Sequence, residues 1–66
     1  MQVTINGEVR GFDTPLTVAA LLARLDIEPR KVAIERNLEI VPKSTFADVV
    51  LADGDRIEIV QFVGGG

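Results

Sequence analysis

The sequence contains no cysteine, no histidine, no tryptophan and no tyrosine. Without cysteine there is no disulfide, no thiolate nucleophile and no thiolate metal site, and nothing marks an oxidising compartment. Without histidine the commonest general base and the commonest metal ligand are missing. Three phenylalanines are the whole aromatic complement, which leaves no stacking platform for single-stranded nucleic acid. Seven Lys and Arg stand against ten Asp and Glu, for a net charge of −3. No basic run is present, so no nucleic-acid partner is expected. The longest purely apolar stretch, Val18 to Ala23, is six residues, where a membrane-spanning helix needs about 20. The opening residues lack the basic segment and apolar core of a signal peptide. The expected location is the cytoplasm, with no membrane partner.

The chain has 66 residues, enough for one domain. A domain of this size buries only about 60% of the surface its unfolded chain exposes. Its core is thin, and a deep internal pocket is not expected. Hydrophobic residues make up 47% of the chain, which excludes a disordered one.

Met1, Val3 and Ile5 alternate with Gln2, Thr4 and Asn6, the period of a half-buried strand. Asn6-Gly7 is a strong hairpin signal, with Glu8 to Phe12 as the return strand. A two-residue loop sets Ile5 opposite Glu8 and puts a carboxylate on the core face. A three-residue loop sets Ile5 opposite Val9 instead, and is the register expected here. Phe12 then needs a bulge at Gly11 to reach the core face. After Asp13-Thr14-Pro15, Thr17 reads as an N-cap. Val18, Leu21, Leu22 and Leu25 form one face of an amphipathic helix, and Pro29 stops it. Val32 and Ile34 begin a further strand. Arg36-Asn37-Leu38 is a turn with Asn37 the left-handed candidate. Ile40-Val41 is a short strand, and Ser44 is placed to cap a helical turn holding Phe46. Asp53-Gly54-Asp55 reads as a solvated turn before the last strand, Arg56 to Val63.

In that last strand Ile57 and Ile59 point one way, and Val60 and Phe62 the other. One helix covers only one face of a small sheet. Val60 and Phe62 are therefore expected to be exposed, and an exposed apolar patch marks a partner. The first and last strands are expected to be adjacent and parallel. The predicted fold is α+β: a mixed sheet of four to five strands, one main helix across one face, and a short helical turn before the last strand.

Chemistry is scarce. Asp53 and Asp55 are too few for a calcium site, which takes six to eight oxygen ligands, and no other metal site is expected. Ser44 has no histidine to activate it. What remains is Gly64-Gly65-Gly66 at the end of the sequence. The expected organisation is a domain over residues 1–63 followed by a flexible glycine tail over residues 64–66. Extended, three residues span about 10 Å. A terminal carboxylate on such a tail can enter a channel that side chains would block. A carboxylate is a poor electrophile until it is activated, for example as an acyl-adenylate made by an ATP-using partner. A protein that works this way needs no catalytic residues of its own.

Several segments together resemble the sulfur carriers of thiamine biosynthesis, the ThiS family of ubiquitin-like, β-grasp proteins. They are Met1-Gln2-Val3-Thr4-Ile5-Asn6-Gly7, Thr17-Val18 to Leu25, Ile40-Val41-Pro42-Lys43, Asp53-Gly54-Asp55-Arg56-Ile57-Glu58-Ile59 and Val63-Gly64-Gly65-Gly66. The resemblance implies a carrier rather than an enzyme, with no permanently bound cofactor. It implies that an E1-like enzyme adenylates the Gly66 carboxylate using ATP and magnesium, with Gly65 its required neighbour. Sulfur from a donor such as a cysteine desulfurase then gives a thiocarboxylate, which supplies thiazole synthase. By position, Val60, Phe62 and Val63 would form part of the docking surface. Two glycines suffice for that chemistry, so Gly64 reads as a spacer. The alternatives are the small subunit of molybdopterin synthase, with the same thiocarboxylate chemistry, and a β-grasp binding module that is never activated.

Overall fold

Helix α1 (Val18–Arg24) is built as its sequence suggests. Thr17 is extended, and its hydroxyl oxygen accepts from the Ala20 N–H at 3.0 Å, satisfying a donor the first helical turn leaves free. Val18, Leu21 and Leu22 are buried on one side. The helix ends before Pro29 is reached. Asp26 takes a left-handed backbone (φ 58°), the Ile27 N–H bonds to the Leu22 carbonyl and the Asp26 N–H to the Ala23 carbonyl. That is a Schellman closure made without glycine. Pro29 instead opens a 3-10 turn at Pro29–Lys31.

The computed structural model describes residues 1–62. Five strands form a mixed sheet in the order β2-β1-β5-β3-β4. They are β1 (Gln2–Ile5), β2 (Glu8–Gly11), β3 (Val32–Arg36), β4 (Glu39–Val41) and β5 (Arg56–Gln61). As expected, β1 and β5 are adjacent and parallel, with Thr4 beside Arg56 and Ile5 beside Ile57. The other pairings are antiparallel.

The first hairpin corrects the expected register. Ile5 pairs with Glu8 and Val3 with Arg10 across a two-residue loop. Asn6 (φ 49°) and Gly7 (φ 82°) both take positive φ, as a type I′ turn requires. A carboxylate is excluded from the core face only where that face is covered. A seven-residue helix does not cover its whole length. Glu8 and Arg10 lie at the rim, exposed and 3.7 Å apart as an ion pair. The same register removes the need for a bulge. Met1 and Phe12 exchange main-chain bonds of 3.0 and 2.8 Å, and Phe12 packs on the core.

The second hairpin turns on Asn37 (φ 50°) and Leu38 (φ 72°). Asn37 was the expected left-handed residue; Leu38, a branched side chain with no local hydrogen bond to offer, was not. The 3-10 turn at Lys43–Thr45 leads into buried Phe46, but Pro42 stands at its N-cap and Ser44 lies within it.

The core lies between α1 and one face of the sheet. Val3, Ile5, Leu16, Val32, Ile34, Val41, Phe46, Leu51 and Ile57 close around the helix, with Leu25 and Ile59 partly buried at its border. Among the described residues Asp55 is the one polar residue buried with them, at 6% exposure. It is not the solvated turn residue its sequence context suggested. One carboxylate oxygen accepts from Arg36 Nε and the Ala52 N–H, both at 2.8 Å, and the other from Asn37 Nδ2 at 3.0 Å. Its carbonyl accepts from the Thr4 N–H at 2.9 Å. Asp53 faces away and accepts from the Gln2 N–H at 2.6 Å.

Burial pushes the Asp55 carboxyl up. The hydrogen bonds from Ala52, Asn37 and Arg36 and the charge of Arg36 outweigh it, and hold the group below its ordinary value of 3.8. A carboxyl depressed in the folded state contributes stability above its unfolded pKa and loses it as pH falls through the folded value. Stability measured by urea denaturation should therefore be flat near neutral pH and fall below about pH 4. Asp55→Asn should weaken that acid dependence and cost about 2–3 kcal/mol at pH 7. Leu22 is fully buried under the sheet, and Leu22→Ala should cost about 2–5 kcal/mol in the same assay.

Candidate functional site

The site is the last strand and the sheet face it shares. Alternation along β5 sends Ile57 into the core and Val60 to the face away from α1. Val60 sits opposite Ala33 of β3 and is 56% exposed; Phe62, just past the strand, is 55% exposed. Both follow the two-faced pattern of the sequence. Val63, Gly64, Gly65 and Gly66, the other expected site residues, lie outside the described residues.

The structure adds side chains that sequence reasoning did not connect to this face. Ile40 of β4 is 76% exposed, and its neighbour Val41 is buried. The Glu39-Ile40-Val41 alternation carried that signal once β4 was placed at the sheet edge. Lys43 Nζ lies 4.8 Å from the Phe62 ring centroid, a cation–π distance, and donates to the Arg30 carbonyl at 3.1 Å. The Phe62 N–H donates to the Lys31 carbonyl at 2.9 Å. Phe62 is thus held at the sheet's end by one main-chain bond and one stacked ammonium. Arg30 is occupied elsewhere, with Nε 3.0 Å from Glu28. The hydrogen bonds from Arg30 hold the Glu28 carboxyl below its ordinary value. Lys43 is left as the cation over Phe62.

On its other side β5 is held by a side chain. Asn6 Oδ1 accepts from the Ile59 N–H at 2.7 Å, and Asn6 Nδ2 donates to the Ile59 carbonyl at 3.2 Å. The asparagine continues the β1 pairing after β1 has turned away. A shallow groove of about 410 Å³ beside it is lined by Ile5, Leu25, Ile27 and Ile59, with Glu8 and Arg10 at its rim. Asp53 and Asp55 do not converge on a shared ligand; each is bonded within the fold. Among the described residues no group of three or more Asp or Glu could hold a metal ion, and no helix is long and apolar enough to cross a membrane.

A mixed five-stranded sheet of this order, with one helix across it, is the ubiquitin-like β-grasp. The model of the ThiS family matches residues 3–66, and the chain belongs to that family. It is 50% identical over 50 residues to the sulfur carrier protein ThiS of Bacillus subtilis, covering 76% of each chain. The crystal structure of the thiamine biosynthesis protein ThiS from Geobacter metallireducens superposes with a TM-score of 0.87 at 33% identity, over the full length of both. A thiazole synthase of Paramagnetospirillum magneticum contains a segment 59% identical to all 66 residues. The chain spans only 20% of that protein's length.

A polar substitution on the exposed patch should leave the fold intact. Val60→Asp is expected to keep the far-ultraviolet circular dichroism spectrum unchanged and to alter stability by no more than about 1 kcal/mol, measured by urea denaturation.

Proposed function

We propose that this protein carries sulfur for the thiazole half of thiamine on the main-chain carboxylate of Gly66. An E1-like enzyme activates that carboxylate with ATP and magnesium: a carboxylate oxygen attacks the α-phosphorus, pyrophosphate leaves, and an acyl-adenylate forms. The outer sulfur of a persulfide, on a cysteine desulfurase or a similar donor, attacks the acyl carbon and AMP leaves. A thiol then cleaves the S–S bond of the resulting acyl disulfide, which frees the thiocarboxylate and leaves a disulfide between the thiol and the donor sulfur. Thiazole synthase then takes the sulfur. The carrier supplies no acid, base or metal. It supplies a recognisable surface and a narrow tail, in which Gly65 lets the main chain enter a confined site and Gly64 is spacer. The setting is the cytoplasm.

The observation that carries this reading is the position of Val60 and Phe62. They lie exposed on the uncovered sheet face, directly before the glycines. In the sequence only Val63 separates Phe62 from the glycines. The names of the relatives support the sulfur-carrier reading. The occurrence of a similar segment within a thiazole synthase supports thiamine over molybdopterin as the pathway.

Deletion of Gly65 and Gly66 tests the proposal. In a mixture of carrier, E1-like enzyme, sulfur donor and thiazole synthase, the truncated protein should keep its melting temperature and lose all thiazole formation. Activity surviving the deletion would point to a binding module that acts through its sheet face alone.

A further inference from the structure

The open face of the sheet carries a feature that folding does not reward. Glu35 of β3 and Glu58 of β5 are directly opposed in the antiparallel register. Both project away from the core, since Ile34 and Ile57 beside them are buried. Like charges facing each other across strands destabilise a sheet. Neither carboxylate has an ion pair among the described residues, where the three pairs are Arg10–Glu8, Arg30–Glu28 and Arg36–Asp55. A local conflict of this kind, retained on a surface already exposing Val60, Phe62 and Ile40, is explained by what covers that surface.

The charges are also ordered. Lys43 lies over Phe62 at the end of β5, where the Phe62 N–H bonds to the Lys31 carbonyl. Val60 and Ala33 follow in the next row, then Glu58 and Glu35, with Ile40 on β4 beside Glu35. Arg56 of β5 lies on the same face one row beyond, without an ion pair to either carboxylate among the described residues. A complementary protein surface is apolar over Val60 and Ile40, cationic over the two glutamates, and anionic toward Lys43. We infer that the sheet face docks thiazole synthase, with an arginine or lysine of that enzyme set between Glu35 and Glu58. This rests on the sulfur-carrier reading and adds to it: the carboxylate pair selects the partner, and its ion pairing on docking relieves the repulsion present in the free carrier. The inference commits to thiazole synthase because a segment similar to this chain occurs within proteins of that name.

The test is the double variant Glu35→Gln/Glu58→Gln, compared with Asp13→Asn/Asp48→Asn, which changes net charge equally at exposed positions off this face. Three quantities are measured: melting temperature, affinity for thiazole synthase across a salt series, and self-association by sedimentation. The Glu pair variant should melt a few degrees higher than the wild type. It should bind thiazole synthase at least about tenfold more weakly, with a shallower salt dependence. The control pair should bind as the wild type does. A wild type that binds while the Glu variant binds equally well overturns this inference and leaves the sulfur-carrier reading standing. A lower melting temperature, equal weakening by the control pair, or self-association that the Glu variant abolishes also overturns it. A wild type with no affinity for thiazole synthase overturns both the inference and the choice of partner on which it rests.

Discussion

The buried carboxylate of Asp55 ties together three parts of the chain at the point where the central strand begins. Arg36 and Asn37 come from the end of β3 and the hairpin that follows it, Ala52 from the turn before β5, and Thr4 from β1. Asp55 itself immediately precedes β5. Its position therefore sets where the central strand starts relative to both neighbours. A slip of one residue in β5 would turn Ile57 outward and Val60 inward. The candidate docking face depends on that register, and the register is fixed in part by Asp55, whose side chain and carbonyl accept from four donors. No buried side-chain nitrogen or oxygen among the described residues lacks a partner, so the polar group is held inside a thin core without a desolvation penalty left uncompensated.

The division of labour follows from size. One seven-residue helix covers one face of a five-stranded sheet, and it does not cover all of that face. The uncovered rim accommodates Glu8 and Arg10. The uncovered opposite face accommodates Val60, Phe62 and Ile40. A domain this small has a thin core, and the chemistry proposed for it is placed on the Gly66 carboxylate, with the catalytic groups proposed to belong to partners. The surface is then where its specificity must lie.

Much of this was legible in the sequence because it is periodic. The spacing of Val18, Leu21 and Leu22, the Thr17 cap and the alternation in Met1 to Ile5 each depend on residues close in the chain. The two-faced pattern of Ile57, Ile59, Val60 and Phe62 marked the candidate surface for the same reason. What was not legible depends on distance or on coverage. Asp55 looked like a turn residue because its partners Arg36 and Asn37 lie 19 and 18 residues away. The hairpin register failed because a rule about faces was applied where the helix does not reach. Leu38 adopts a left-handed backbone that its side chain disfavours, imposed by the two-residue connection between β3 and β4. The opposition of Glu35 and Glu58 exists only once the pairing of β3 with β5 is fixed.

Sulfur carriage requires one carboxyl group, that of Gly66, to become a thiocarboxylate. Intact-mass analysis of the protein purified from its native host, with fragmentation to place the modification, reads that state directly. The account predicts a species heavier than the free acid by the difference between one sulfur and one oxygen, localised to Gly66. If only the free acid is found, even after incubation with ATP, magnesium, an E1-like enzyme and a sulfur donor from the same host, the central claim is contradicted.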